Sequence, residues 1–189
     1  MIATFLEHNV GISDHFLDDL LADRLKVNLL CLHQNQLLQA AGIGNSEKLV
    51  HNLGIRSDSI YWLDRKHDSS CENDFLDLIE GFICYLNISC YAGITDYEFH
   101  YSLYEKGSFY KKHLDQFQNN SSRKYSLISY LNADWQESDG GELMIHQLGS
   151  SQKISPNNGK TVFFKSDELL HEVLETNQRR MSVTGWLKG

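Results

Sequence analysis

The character of this chain changes once, near residue 97, and that change limits the folds open to it. From Tyr97 onward the sequence breaks into short runs rich in β-branched and aromatic residues: Tyr97–Tyr104, Ser126–Leu131, Glu142–Gln147, Thr161–Phe164 and Met181–Leu187. Runs of this length, separated by turn-forming residues, read as strands. Before residue 97, apolar residues recur at helical spacing. Ser13-Asp14-His15 can cap a helix carrying Phe16, Leu17, Leu20, Leu21 and Leu25, and a second helix starts near Asn73-Asp74 with Phe75, Leu78, Ile79, Phe82, Ile83 and Leu86 on one side. Between them, Leu49 to Leu63 reads as extended with a turn at Gly54, and polar Asp64 to Asn73 as a mobile loop able to close over a substrate. Helices first and many short strands afterwards predict an α+β chain, with N-terminal helices packed against a β-sandwich or jelly roll. Residues 1–189 read as one domain. Residues 1–96 form helical and substrate-loop support, and residues 97–187 form the jelly-roll core.

Composition removes several classes of function. Asp and Glu outnumber Lys and Arg 25 to 17, a formal net charge of -8, which disfavours a phosphate backbone as partner. Together with the lack of a basic, aromatic-interleaved stretch, this argues against nucleic acid. No apolar run approaches the roughly 20 residues of a membrane span, so no membrane partner is expected. The N-terminal residues lack a cationic segment followed by a long apolar one, so they do not read as a signal peptide. Cys31, Cys71, Cys84 and Cys90 show no paired ligand spacing and read as reduced, partly buried thiols of a cytoplasmic protein.

Four residues carry the chemistry. His113 and Asp115 stand one residue apart, so on a strand both side chains share one face. His171 follows 56 residues after Asp115, enough chain for strands to cross and return from the other side. Two imidazoles and one carboxylate in this order suit a facial triad holding non-heme Fe(II) with coordination positions left open. Arg180, nine residues after His171, begins an alternating run in which Arg180, Ser182, Thr184 and Trp186 share one face. Arginine's planar fork fits a carboxylate and keeps its charge when buried, as a dicarboxylate co-substrate requires. His8, His15, His33, His51, His67, His100 and His146 read as structural or surface residues.

The segment Tyr104-Glu-Lys-Gly107-Ser-Phe-Tyr110-Lys-Lys-His113-Leu-Asp115-Gln-Phe117 resembles the metal-binding segment of the Fe(II)/2-oxoglutarate-dependent prolyl hydroxylases. Ser126 to Trp135, Gly140-Gly141-Glu-Leu143, Ile154-Ser-Pro156, Phe163-Phe164, His171-Glu172-Val173 and Arg180 to Trp186 are similar to the same family, so the resemblance covers roughly residues 97–187. Upstream, Ile55-Arg56-Ser-Asp58-Ser-Ile60-Tyr-Trp62 resembles the subgroup of hypoxia-type prolyl hydroxylases and their bacterial relatives.

The resemblance implies iron on His113, Asp115 and His171, which would be the catalytic set, and the distal carboxylate of 2-oxoglutarate on Arg180 and Tyr130. It also implies a double-stranded β-helix (jelly roll) core with packed N-terminal helices, and a pocket wall from Tyr104, Thr184 and Trp186. Arg56 would stand near the cavity mouth, and Asp58 paired with Arg123 would fasten the loop before the Tyr130 strand. The implied activity is protein prolyl 4-hydroxylation with O2, Fe(II), 2-oxoglutarate and ascorbate as reductant. The implied partner is a protein with an exposed prolyl loop, elongation factor Tu being the candidate. Two alternatives stand beside it: the same chemistry on another residue or a small molecule, and a non-catalytic jelly-roll binding or sensing module.

Overall fold

In the computed structural model, residues 1–42, 52, 54–116 and 121–189 are described. Ser13 does not open a helix. After α1 (Ile2–His8), residues Val10–Ser13 form strand β1, and the long helix α2 (Asp19–Gln34) is capped by Asp18, whose carboxylate accepts the Leu21 N–H at 2.7 Å. Sheet pairing overrides the local capping signal here: β1 pairs antiparallel with β9 (Thr161–Lys165) through Val10–Phe164 and Ser13–Thr161. Leu21, Ala22, Leu25 and Leu29 form the buried stripe of α2.

Helix α3 spans Ser70–Cys90 and starts earlier than its apolar periodicity suggests. The segment expected to be a mobile loop is instead ordered. It consists of the 3-10 turn Arg65–His67, capped by the Asp64 carboxylate on the Lys66 N–H, followed by the first turn of α3. Arg65 reaches Asp77 at 2.8 Å and Glu80 at 2.7 Å, and His67 meets the buried Glu72 at 3.0 Å. Those ion pairs, made to α3 residues farther along the sequence, are what a local reading of a polar stretch misses. The predicted turn at Gly54 is present; Leu49 to His51 and Leu53 lie outside the described residues, and the extended remainder narrows to β3 (Ser59–Trp62).

The remaining strands are β2 (Gln39–Ala40), β4 (Asp96–Tyr104), β5 (Tyr110–His113), β6 (Arg123–Tyr130), β7 (Leu143–Gln147), β8 (Ser150–Ile154), β10 (Leu170–Val173) and β11 (Arg180–Lys188). They form a seven-stranded sheet, β1-β9-β6-β11-β4-β3-β2, and a four-stranded sheet, β5-β10-β7-β8, with every strand pair antiparallel. Alternation along the long strands sorts the core into two layers. Phe99, Tyr101, Leu103, Leu127, Phe163, Met181, Val183 and Leu187 pack with the stripes of α2 and α3. Ile128, Tyr130, Phe164 and Tyr104 pack with Leu143, Ile145 and Val173 of the smaller sheet. Of the two architectures the run pattern allows, this is the jelly roll with packed helices. Gly185 lets β11 lie close on β4: a Cβ there would strike the Glu98 carbonyl and the Phe99 ring.

All four thiols are free. Only Cys71 is buried, while Cys31, Cys84 and Cys90 are exposed, because their helix faces point away from both sheets. Among the described residues, no helix is long and apolar enough to cross a membrane.

Candidate active site

The two sheets face each other across a small, half-enclosed cavity. From the smaller sheet come His113, at the end of β5, and His171, inside β10; the ladder pairs these two residues directly. Asp115 is not on the strand expected for it. β5 stops at His113, and Asp115 sits in the bend beyond, where the Gln116 N–H donates to the Ser166 carbonyl at 3.1 Å. The turn, not strand alternation, aims the carboxylate. His113 Nε2 lies 3.4 Å from Asp115 Oδ1 and His171 Nε2 lies 3.7 Å from Asp115 Oδ2. One ligand atom from each residue lies within 4.8 Å of the others, so a single ion can engage all three.

Each ligand is braced from behind. His113 Nδ1 donates to the Lys111 carbonyl at 2.7 Å and His171 Nδ1 to the Leu169 carbonyl at 2.9 Å, which leaves both Nε2 lone pairs for a metal. The Ser126 hydroxyl donates to Asp115 Oδ2 at 2.6 Å. Tyr110 stacks on His113 with ring centroids 3.5 Å apart. Burial alone would raise the Asp115 pKa, but His171, His113 and the Ser126 hydroxyl outweigh it and hold the carboxyl well below the usual range. Burial pushes His171 down to about 4 against the pull of Asp115, so it presents a neutral imidazole. Two imidazoles, each with Nε2 turned inward, and a carboxylate, converging in a half-enclosed cavity, fit Fe(II).

The larger sheet supplies the opposite wall. Arg180 is 3% exposed and donates Nε–H to the Gly141 carbonyl at 2.8 Å, so its two terminal nitrogens remain for a ligand in the cavity it lines. Its guanidinium lies 4.9 Å from the Tyr104 ring centre and 5.1 Å from that of Tyr130. Gly141 has φ +72, and a Cβ there would press on Arg180 Cδ at 3.0 Å, so glycine is required to seat the arginine. Burial raises the Tyr104 pKa and pushes Tyr130 up to about 12, with Arg180 opposing, so both hydroxyls keep their protons. Arg180, Thr184 and Trp186 line one face of β11, as the alternation implies, while Met181 and Val183 enter the helical layer.

Two expectations about the cavity rim change. Asp58 does not pair with Arg123; it accepts two hydrogen bonds from Arg56, at 2.6 and 2.8 Å. Standing two residues apart on one extended segment, Arg56 meets the carboxylate with its whole fork. Arg123 pairs with Glu98 at 2.7 Å and lies 3.4 Å above the Trp186 ring. Arg56 does line the cavity, above the Tyr110 ring.

His100, read from sequence as a structural histidine, also lines the cavity. It is 1% exposed, and neither ring nitrogen has a hydrogen-bond partner. Its position on the face shared by Ser102 and Tyr104 is the signal that could have found it.

Residues 99–188 match the model of the 2OG-Fe(II) oxygenase superfamily. A Pseudomonas putida prolyl-4-hydroxylase superposes with TM-score 0.91 at 30% identity, over 100% of this chain and 97% of that one. This chain belongs to the 2OG-Fe(II) oxygenase family. Its enzyme class is therefore oxidoreductase, and the family implies Fe(II) and 2-oxoglutarate at the cavity described above. A Trichoplax adhaerens prolyl hydroxylase, in complex with a hypoxia inducible factor peptide fragment, superposes with TM-score 0.84 at 22% identity, over 99% of this chain and 86% of that one. The non-heme alpha ketoglutarate dependent epimerase SnoN from nogalamycin biosynthesis shares the fold at TM-score 0.66 and 14% identity, over 97% and 78%. The fold alone thus leaves the reaction open, and the walls of the cavity have to narrow it.

Proposed function

We propose that this oxygenase hydroxylates prolyl residues of a protein substrate. The observation that carries the reading is the arrangement of the cavity. A triad and a buried arginine stand on facing sheets, and aromatic side chains surround the triad. The similarity to the Pseudomonas putida prolyl-4-hydroxylase over nearly the whole of both chains supports it. When bound, Fe(II) and 2-oxoglutarate supply oxygen activation coupled to oxidative decarboxylation of the 2-oxo acid, with ascorbate as an external reductant keeping the iron ferrous.

The protein's own work is placement. His113, Asp115 and His171 hold the metal, while Arg180 and the Tyr130 hydroxyl take the far carboxylate of 2-oxoglutarate. Tyr104 and Thr184 wall the co-substrate in. Trp62, 46% exposed and packed beside His100 and Trp186, offers flat apolar surface for a proline ring. Arg56, fixed by Asp58 and stacked on Tyr110, holds the segment that leads from the mouth to β3.

The test is incubation with Fe(II), 2-oxoglutarate, ascorbate and O2, first with elongation factor Tu and then with a cell lysate, followed by peptide mass spectrometry. The reading expects one added oxygen atom on a prolyl residue, absent with His113→Ala. An added oxygen on a different residue type, or only on a small molecule, would replace it with the other oxygenase reading.

A further inference from the structure

Five described residues keep buried side-chain nitrogen or oxygen atoms without a hydrogen-bond partner; two of them, His100 and Trp186, line this cavity, and a third, Tyr130, lies against Arg180. A buried polar atom left unpaired costs about 1–3 kcal/mol, so such a cluster marks where a ligand completes the protein. Arg180 and Tyr130 account for one end. His100 and Trp186 form a second group, stacked with ring centres 5.4 Å apart, and Thr184 pairs with His100 across the β4–β11 ladder.

We propose that His100 is a co-substrate-binding residue, its imidazole N–H donating to the carboxylate of 2-oxoglutarate that lies at the metal end of the molecule. This rests on the oxygenase reading of the site and adds a residue to it. Three observations place the acceptor there. His100 stands four positions along β4 from Tyr104, roughly 13 Å at the usual rise per residue, too far to serve the carboxylate that Arg180 and Tyr130 would take. His100 lines the same small cavity as His113, Asp115 and His171, so the ring faces the metal ligands. Burial, then Arg56 and then Arg123, drive its pKa well below the usual histidine value against the pull of Asp115, so the ring is a neutral donor. The Trp186 Nε1–H, unpaired beside it, offers a second donor to the same group.

The experiment uses the full chain loaded with Mn(II), with no turnover. Calorimetry gives the Kd for 2-oxoglutarate, and spin resonance of free Mn(II) gives the Kd for the metal, for wild type, His100→Leu and His100→Gln. The expected result is about tenfold weaker 2-oxoglutarate binding by His100→Leu, metal affinity unchanged, and recovery of most of the loss by His100→Gln, which restores an N–H donor. Equal 2-oxoglutarate affinity for wild type and His100→Leu overturns the proposal, as does a loss that His100→Gln shares while both variants melt at the wild-type temperature. Failure of wild type itself to bind 2-oxoglutarate would instead overturn the oxygenase reading of the cavity.

Discussion

The two walls of the cavity are built by opposite means. The metal wall is finished by the protein alone: His113 and His171 are each held by a backbone carbonyl, and Asp115 by Ser126 and a bend. The facing wall stands in the middle of long strands and is left incomplete, with the Tyr130 hydroxyl and the His100 and Trp186 nitrogens unpaired. The difference teaches how the work is divided. The triad is preorganised through short local contacts, whereas the facing wall keeps unpaired buried polar atoms that a bound anion would satisfy.

That contrast can be broken most forcefully at the triad. His113→Ala should reduce metal affinity by more than the roughly 10–100-fold that loss of an outer partner costs, and should abolish turnover; metal titration measures it. Arg180→Met should come next. Removing a charged hydrogen-bonding partner, at about 1.5–3 kcal/mol, predicts a 2-oxoglutarate Kd raised roughly 10- to 150-fold while metal affinity holds.

Two hydroxyl deletions then sharpen the contrast, because they differ in sign. Ser126→Ala removes a made hydrogen bond, so thermal stability and metal affinity should both fall, affinity by roughly tenfold. Tyr130→Phe removes a buried hydroxyl that lacks a partner, so the ligand-free protein should melt slightly higher while 2-oxoglutarate binding weakens by roughly 3- to 10-fold. Melting curves with and without 2-oxoglutarate distinguish the two.

The effect farthest from the ligand contrast is one of pH on the metal-free protein. His171 is depressed to about 4 in the folded state, whereas the unfolded chain takes a proton near the ordinary value of 6.5. The unfolded state therefore binds more protons between those values, and stability falls as pH drops from about 6.5 towards 4. His171→Leu should lose less stability than wild type over that window, as denaturant titrations would show.

How legible each wall was in the sequence follows from the same contrast. Arg180, Thr184 and Trp186 lie on a nine-residue strand whose alternation is read directly, and the structure brings them to one cavity. The triad residues were visible by type and order, but the bend carrying Asp115 was not, since the contact aiming it comes from Ser126, on another strand. Asp58 was assigned to Arg123 when the nearer Arg56 takes it, and Asp64–Asn73 was read as mobile when ion pairs to α3 fix it. His100 was missed because a lone histidine on a strand carries no spacing signal. It gains meaning only when both its nitrogens are seen to be buried and unpaired.

The central claim is that the triad and Arg180 act on one bound 2-oxoglutarate. Succinate release in the presence of Fe(II), O2 and the protein substrate tests it most directly, with wild type, His113→Ala and Arg180→Met compared side by side. The account predicts substrate-dependent succinate from wild type, none from His113→Ala, and recovery of Arg180→Met towards the wild-type rate only at much higher 2-oxoglutarate. Equal succinate from wild type and His113→Ala, or an Arg180→Met rate that does not depend on raised 2-oxoglutarate, would contradict it.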